Sequence, residues 1–280
     1  MKKIRNIFIL LIINIVSLSF SISAQSLGDF EVDETAFYAM TKQMSQFFSR
    51  FNNEEDAGGK KYLPSDPNYR DNIKRKQILP LLFDGENPRT AGTLRDFFIE
   101  DMCKNDSQNF IRFTGGRWYA EVSSSFEYQG KSVPVVLFLT IEKERLGSKW
   151  VLTNVYYPGF NNYFPSGDSI EKEKHFLHPM SHELDFMNIY KVFNDPSVVE
   201  YYASKKFQPD YLSLFFYEVK LGRMKFKSVD SMKFHIFQMK DWYFEISYFS
   251  RKGNNTGWLI SNLMYVKENE KEPLIKFYEP

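Results

Sequence analysis

The sequence predicts an α+β protein of two tandem domains, in each of which helices pack on one face of a curved antiparallel sheet. Three observations favour this fold class. Segments with apolar residues at helical spacing precede segments in which apolar and polar residues alternate. This order of elements occurs twice along the 280 residues. The second half also repeats aromatic frames of the first half, as expected for a duplicated domain.

Residues 1–24 are typical of a secretory signal peptide. Basic residues at the start precede an apolar core over 7–16, and small, mildly polar residues lead to Ala24. The core is about half of the roughly 20 residues that a membrane-spanning helix needs. We therefore expect cleavage near Ala24, no stable membrane anchor after processing, and a mature protein that is periplasmic or secreted.

The rest of the chain divides into two domains, a linker and a tail. We predict the first domain over 27–165, a linker over 166–180, the second domain over 181–267 and a C-terminal tail over 268–280. The alternating charges of SIEKEK indicate the linker. The length of the chain suits two domains better than one minimal domain.

Each domain is predicted to begin with helices and to end with strands. Apolar residues from Phe37 to Phe51 recur at helical spacing, and RKQILPLLF, which Pro80 interrupts, and TLRDFFIEDMCK follow as short helices. Alternation predicts strands from Phe110 onwards. In the second domain, SHELDFMNIYKVF and a helix in PDYLSLFFYEVKLG that ends at Gly222 precede the strands MKFHIFQM, WYFEISYF and WLISNLMYV.

The aromatic frames carry the evidence for duplication. FIRFTGGRWYAEV and FHIFQMKDWYFEI share the frame F-x-x-F-x-x-x-x-W-Y-x-E without a gap. Further along, Trp150 and Trp258 are each followed by an Asn four positions later. Duplication makes Trp118 equivalent to Trp242, and Trp150 equivalent to Trp258. Chance similarity among strands rich in aromatic residues is the alternative.

Helices followed by a long antiparallel sheet with these tryptophan strands resemble the nuclear transport factor 2-like (NTF2-like) superfamily, which includes ketosteroid isomerase and SnoaL-type cyclases. The chain is also similar to exported tandem proteins of Gram-negative gut bacteria. The resemblance implies two cone-shaped NTF2-like domains. In ketosteroid isomerase relatives the cone holds a general-base Asp, with a Tyr and a protonated Asp as oxyanion donors. No position of this sequence matches those roles, and no catalytic residue is assigned.

The nearest candidates for acid–base chemistry are Tyr119 with Glu121 and Tyr243 with Glu245. Side chains alternate across a strand, so these residues lie on the face opposite to the tryptophans that precede them. We interpret that face as solvated, or as a surface where domains or subunits meet. An acid–base site there is the alternative.

Three of the four histidines lie close together in HFLHPMSHE, which is followed by Leu184. The three are His175, His178 and His182, and Glu183 is the acidic neighbour. An unbroken helix would bring the imidazoles to one face, as zinc requires, but Pro179 disfavours that helix. We predict a polar interdomain segment, no metal site and no cofactor. We interpret His235, on an alternating strand, as a structural histidine.

Charge argues against a nucleic-acid-binding protein, and cysteine content excludes a fold stabilised by an internal disulfide. The chain has 36 Lys and Arg against 35 Asp and Glu, so it lacks the positive charge that nucleic-acid binding requires. Cys103 is the single cysteine and cannot form an internal disulfide. We interpret it as a buried, inert thiol rather than a nucleophile.

These observations favour an exported, non-enzymatic binding or interaction protein with two cone-shaped domains. Its partner is another protein or a small apolar or glycan ligand, since an aromatic content of 18% can line a binding site. One alternative is a periplasmic enzyme of the isomerase or hydrolase type, with acid–base residues inside one cone. Another is a soluble accessory subunit of an envelope or secretion assembly.

Overall fold

The fold is known from a computed structural model. It describes the following residues: 43–104, 109–145, 147–164, 169–180, 187–253 and 255–280. The predicted signal peptide, and also His182 and Glu183, lie outside this part of the chain. No helix within the described ranges is both long and apolar enough to cross a membrane.

Six strands of the described chain form one antiparallel sheet in the order β3-β2-β1-β4-β5-β6. Their bounds are β1, Trp118–Tyr128; β2, Lys131–Glu144; β3, Gly147–Tyr156; β4, Met224–Ile236; β5, Trp242–Phe249; and β6, Gly257–Tyr265. Each half of the chain contributes three consecutive strands. The first strands of the two halves, β1 and β4, pair with each other at the centre of the sheet.

Seven α-helices are present in the described ranges, accompanied by short 3-10 turns. Their bounds are α1, Met44–Asn52; α2, Asn72–Ile78; α3, Thr93–Met102; α4, Ser169–Lys174; α5, Lys191–Asn194; α6, Tyr211–Lys220; and α7, Glu268–Tyr278. Asp71 caps α2 by accepting a hydrogen bond from the Lys74 backbone N–H. Gly222, with φ 68°, follows the end of α6 as predicted. The α+β class is therefore confirmed.

The main core lies between α1–α3 and one face of the sheet. Trp118 and Trp242 are almost fully buried there with Phe51 and Phe98. Side chains from the edge strands converge on the same face, since the ring of Trp150 lies 5.2 Å from that of Trp118. A second apolar cluster forms further along this face, where α6 packs on the ends of β1 and β4.

The prediction of two tandem domains, each with its own sheet, is not confirmed. The strands of both halves belong to one sheet, and one core cluster contains Trp118 and Trp242 together. Trp118 lies on central strand β1, whereas Trp242 lies on β5, so the two do not hold equivalent places. Trp150 and Trp258 do lie on the two edge strands.

The sheet explains why the two W-Y-x-E frames are alike. Strands β1 and β5 flank β4 and both run antiparallel to it, so the frames are parallel to each other. Ile236 of β4 lies opposite Trp118 on one side and Phe244 on the other, which sets the frames two residues apart. Both frames meet the same requirements, a large apolar side chain toward the helices and polar side chains on the other face.

Candidate functional site

The two frames bring their polar residues together on the outer face of the sheet. Tyr119 lies opposite His235, and Glu121 lies opposite Lys233, across the β1–β4 pair. On the other side of β4, His235 lies opposite Glu245. We call these five residues and Tyr243 the outer-face cluster. The sequence predicted that both Tyr-Glu pairs lie on the face opposite to the tryptophans. It did not predict that the two pairs lie around one histidine, His235.

Hydrogen bonds connect the outer-face cluster through His235, which is 2% exposed. Its Nε2 lies 2.9 Å from Oε2 of Glu121, and its Nδ1 lies 2.8 Å from the Tyr243 hydroxyl. That hydroxyl donates to Oε1 of Glu245 at 2.7 Å. Lys233 Nζ lies 3.4 Å from Glu121 and 3.9 Å from Glu245. These contacts form a continuous network of five residues of the cluster, namely Glu121, Lys233, His235, Tyr243 and Glu245.

Helix α7 covers the outer-face cluster. The Tyr278 ring stacks on Tyr119 at 5.1 Å between centroids, and its hydroxyl lies 3.1 Å from His235 Nδ1. Thr153 Oγ1 donates to the backbone oxygen of Tyr278 at 2.7 Å, and Tyr119 donates to Glu279 at 2.9 Å. The segment predicted as a C-terminal tail is therefore a helix that packs on the sheet.

The interpretation of this face as solvated, or as a place where domains or subunits meet, is corrected for the part beneath α7. Tyr119 and Tyr243 are 2% and 7% exposed because they pack with Val266 and Ile275 in a third apolar cluster. The signal that was missed is the spacing of Lys271, Ile275 and Tyr278, which lie on one helical face.

The environment of the cluster shifts the pKa values of its groups. Burial opposes ionisation of Glu121, but the hydrogen bond from His235 and the charge of Lys233 outweigh it and hold the pKa of this carboxyl below its usual value. Burial and the nearby charge of Glu245 raise the pKa of Tyr243 far above the usual value for a phenol. The network thus favours an ionised Glu121 and a neutral Tyr243.

A second candidate site is an open cleft of about 780 Å³ around the segment predicted as a linker. We call it the aromatic cleft. Its aromatic lining residues are Phe164, His175, Phe176, Tyr201, Phe207 and Tyr211. Its charged lining residues are Lys172, Glu173, Glu200 and Lys205. A volume of this size lies within the range of about 300–1,000 Å³ that is typical of small-molecule sites.

The aromatic rings of the cleft are held by one another and by polar contacts. The His175 ring meets Tyr201 edge-on at 5.4 Å, and its Nδ1 lies 2.8 Å from the backbone oxygen of Glu171. Phe164 and Phe207 form an edge-to-face pair at 5.9 Å. Lys172 Nζ lies 5.7 Å from the centre of the Tyr201 ring. The linker residues thus help to form a site that the sequence did not predict.

One polar atom of the aromatic cleft is left without a partner. Oε1 of Glu200 is buried and accepts no hydrogen bond from any residue that the structure describes. A buried carboxylate oxygen without a donor is unfavourable. Since this oxygen has almost no accessible surface, a molecule in the cleft does not contact it without a local rearrangement.

The structure tests the prediction of no metal site only in part. Within the described ranges, no three or more His, Cys, Asp or Glu residues are arranged to hold a metal ion. Because His182 lies outside those ranges, the absence of a metal site in the three-histidine segment stays a prediction.

Cys103 is half-buried at the end of α3, and burial raises the pKa of its thiol. This environment disfavours the reactive thiolate.

The chain matches no family model, no curated protein and no solved structure. The resemblance to the NTF2-like superfamily therefore stays a prediction.

Proposed function

We propose that this chain is an exported, non-enzymatic binding protein and that the aromatic cleft is its ligand site. The observation that carries the proposal is the combination of an open volume of about 780 Å³ with the aromatic and charged side chains that line it. Ligand sites in proteins typically join a mostly apolar lining to a few polar groups that fix orientation.

Export and the NTF2-like relationship are part of the same proposal. Residues 1–24 have the three-part pattern of a signal peptide, which supports export. The packing of α1–α3 and α6 on one face of an antiparallel sheet supports the relationship to NTF2-like proteins, whereas α7 packs on the other face. Two tandem units remain compatible with the three consecutive strands in each half, provided that the units share one sheet.

The alternative is an enzyme that uses the outer-face cluster for acid–base chemistry. The contact between Glu121 and His235 favours it, since such pairs orient a catalytic imidazole. Against it, Tyr278 and Glu279 contact the cluster, and His235 is 2% exposed. A substrate would first have to displace the end of α7. The aromatic cleft requires no such displacement.

A thermal-shift screen with the purified, processed protein tests the proposal. A ligand at about 100 times its Kd stabilises a protein by roughly 2.7 kcal/mol. We expect the shift to disappear in Tyr201→Ala, which removes a ring from the cleft. Tyr156→Ala is the matched control, because this tyrosine is 45% exposed on edge strand β3 and does not line the cleft.

Product analysis of the molecules that bind in the screen separates binding from catalysis. A ligand that stabilises the parent and Tyr156→Ala but not Tyr201→Ala supports the proposal. A molecule that is converted to product, with a rate that falls in Glu121→Gln, would show that the protein is an enzyme. Stabilisation that persists unchanged in Tyr201→Ala would place the ligand site outside the aromatic cleft.

A further inference from the structure

Strand β4 lies in the middle of the sheet, but most of its length has a neighbouring strand on one side only. It pairs with β1 from Met224 to Ile236. On its other side, β5 pairs with it only from Lys233 to Ile236. No other strand of the described chain lies beside residues 225–232, and all eight of these residues are exposed. We call residues 225–232 the open stretch.

The backbone of the open stretch can accept a further strand. Successive residues of a strand in an antiparallel sheet direct their N–H and C=O groups alternately to the two sides. Within the described ranges, no backbone hydrogen bond joins the open stretch to a segment on the side away from β1. An open edge of this kind is where an extended peptide adds to a sheet.

The open stretch also presents a different surface on each face of the sheet. Its exposed large apolar side chains lie on the face that carries the main core, and they are Phe226, Val229 and Met232. On the outer face, Lys225 lies opposite Glu127, and Lys227 Nζ lies 2.6 Å from Oε2 of the same glutamate. A strand added beside these residues therefore meets an apolar surface on one face and two lysines on the other.

We propose that the open stretch binds an extended segment of another protein, which adds to the sheet as a strand beside β4. Because side chains alternate between the faces of a sheet, the segment that fits has apolar residues at every second position. Between them it has acidic residues, which lie near the two lysines. Asp230 does not require a basic partner, since it already accepts hydrogen bonds from Ser125 and Ser228.

A second copy of this chain fits the open stretch less well. If two β4 strands pair antiparallel with Val229 opposite Val229, then Lys225 of one copy lies opposite Lys233 of the other. On that side Lys233 is already paired with Ser247 of β5. The two copies would therefore collide at both ends of the shared stretch. A segment of another protein without such a neighbouring strand does not meet this obstacle.

Fluorescence anisotropy with labelled synthetic peptides tests the inference, which does not depend on the aromatic cleft. The probe is the peptide DVEVDVEV, in which apolar and acidic residues alternate. VVVVDDEE has the same composition without alternation, and KVKVKVKV has the opposite charge. We expect the probe to bind and the other two peptides to bind at least about tenfold more weakly. The probe methylated at every backbone nitrogen keeps its side chains but cannot donate to β4, so it should not bind.

Variants of the protein locate the binding site. Lys225→Glu with Lys227→Glu should weaken binding of the probe at least about tenfold. Lys131→Glu with Lys143→Glu is the matched control, because it changes the net charge equally at exposed positions of β2 outside the open stretch. This control should bind like the parent, and thermal unfolding should show that both variants fold. Amide exchange in residues 225–232 should slow when the probe binds.

The inference is wrong if the probe binds no more tightly than about 1 mM, or if the methylated probe binds equally well. It is also wrong if the two double variants bind the probe alike. Analytical ultracentrifugation examines the other occupant. A dimer of the parent that Val229→Lys converts to a monomer would assign the open stretch to a second copy and overturn the proposal of a different partner.

Discussion

Nε2 of His235 lies 2.9 Å from Oε2 of Glu121, although 114 positions separate the two residues in the chain. The contact joins the first strand of one half to the first strand of the other. Because Tyr278 also reaches the same imidazole, the C-terminal helix is tied to this point. The outer-face cluster therefore connects β1, β4 and α7, which are far apart in the chain.

Replacement of His235 by Leu should destabilise the protein. The change removes one of the hydrogen-bond partners of Glu121, of Tyr243 and of Tyr278, at a cost of about 1–3 kcal/mol for a buried polar network. Urea unfolding measures the loss. His178→Leu is the control, since His178 is exposed, and it should change stability by less than about 0.5 kcal/mol. Equal stability of the two variants would contradict a structural role for His235.

Stability should fall in acid partly through Glu121. The pKa of this carboxyl is lower in the folded protein than its usual value of 4.5, so ionised Glu121 favours the fold. Its contribution is present above pH 4.5 and is lost as the pH falls through the lower folded value. Urea unfolding between pH 7 and pH 3 should therefore show a smaller acid loss in Glu121→Gln than in the parent. An unchanged slope would show that Glu121 is not linked to folding.

The Tyr278 side chain should hold the end of α7 against the sheet. We expect Tyr278→Ala to cost about 2 kcal/mol, since it removes ring contacts with Tyr119 and His235 together with a hydrogen bond. Tyr156→Ala is the exposed counterpart and should cost less than about 0.5 kcal/mol. Hydrogen exchange at Ile275 would check the mechanism, because faster exchange in Tyr278→Ala and not in Tyr156→Ala is expected if the ring fixes the helix.

Much of the fold follows from local pattern, and the rest depends on distant pairing. Helical spacing and Gly222 predicted α6, and alternation predicted the opposite faces of Trp118 and Tyr119. The pairing of β1 with β4 was missed, because a local pattern does not determine which strands meet. Instead, the repeat of W-Y-x-E suggested two sheets, although two strands of one sheet that face the same helices satisfy it equally well.

Strand β4 shows a second limit of sequence patterns. The sequence placed its start at Met232, but the strand begins at Met224. Phe226, Val229 and Met232 are spaced by three, which does not fit regular alternation. Strand β4 has two register shifts against β1, one between Phe226 and Val229 and one between Val229 and Met232. Each shift inserts one additional residue, so all three side chains lie on one face of the sheet. The aromatic cleft was missed for a similar reason, since irregular segments carry no periodicity.

The single core predicts how the two buried tryptophans respond to mutation. Trp118→Ala and Trp242→Ala should each cost about 3–5 kcal/mol, because both side chains are almost fully enclosed. Since one cluster contains both, each variant should lower the same cooperative transition in calorimetry. Two separate transitions, each sensitive to only one of the variants, would instead support two independent domains.

The most direct test of the proposed site is a nuclear magnetic resonance titration of protein that carries isotope-labelled histidine. The chain has four histidines, of which His175 lines the aromatic cleft and His235 lies in the outer-face cluster. On addition of a ligand found in the screen, we expect the His175 signal to shift with ligand concentration and the His235 signal to stay in place. A shift of the His235 signal with an unchanged His175 signal would contradict the account and place the functional site beneath α7.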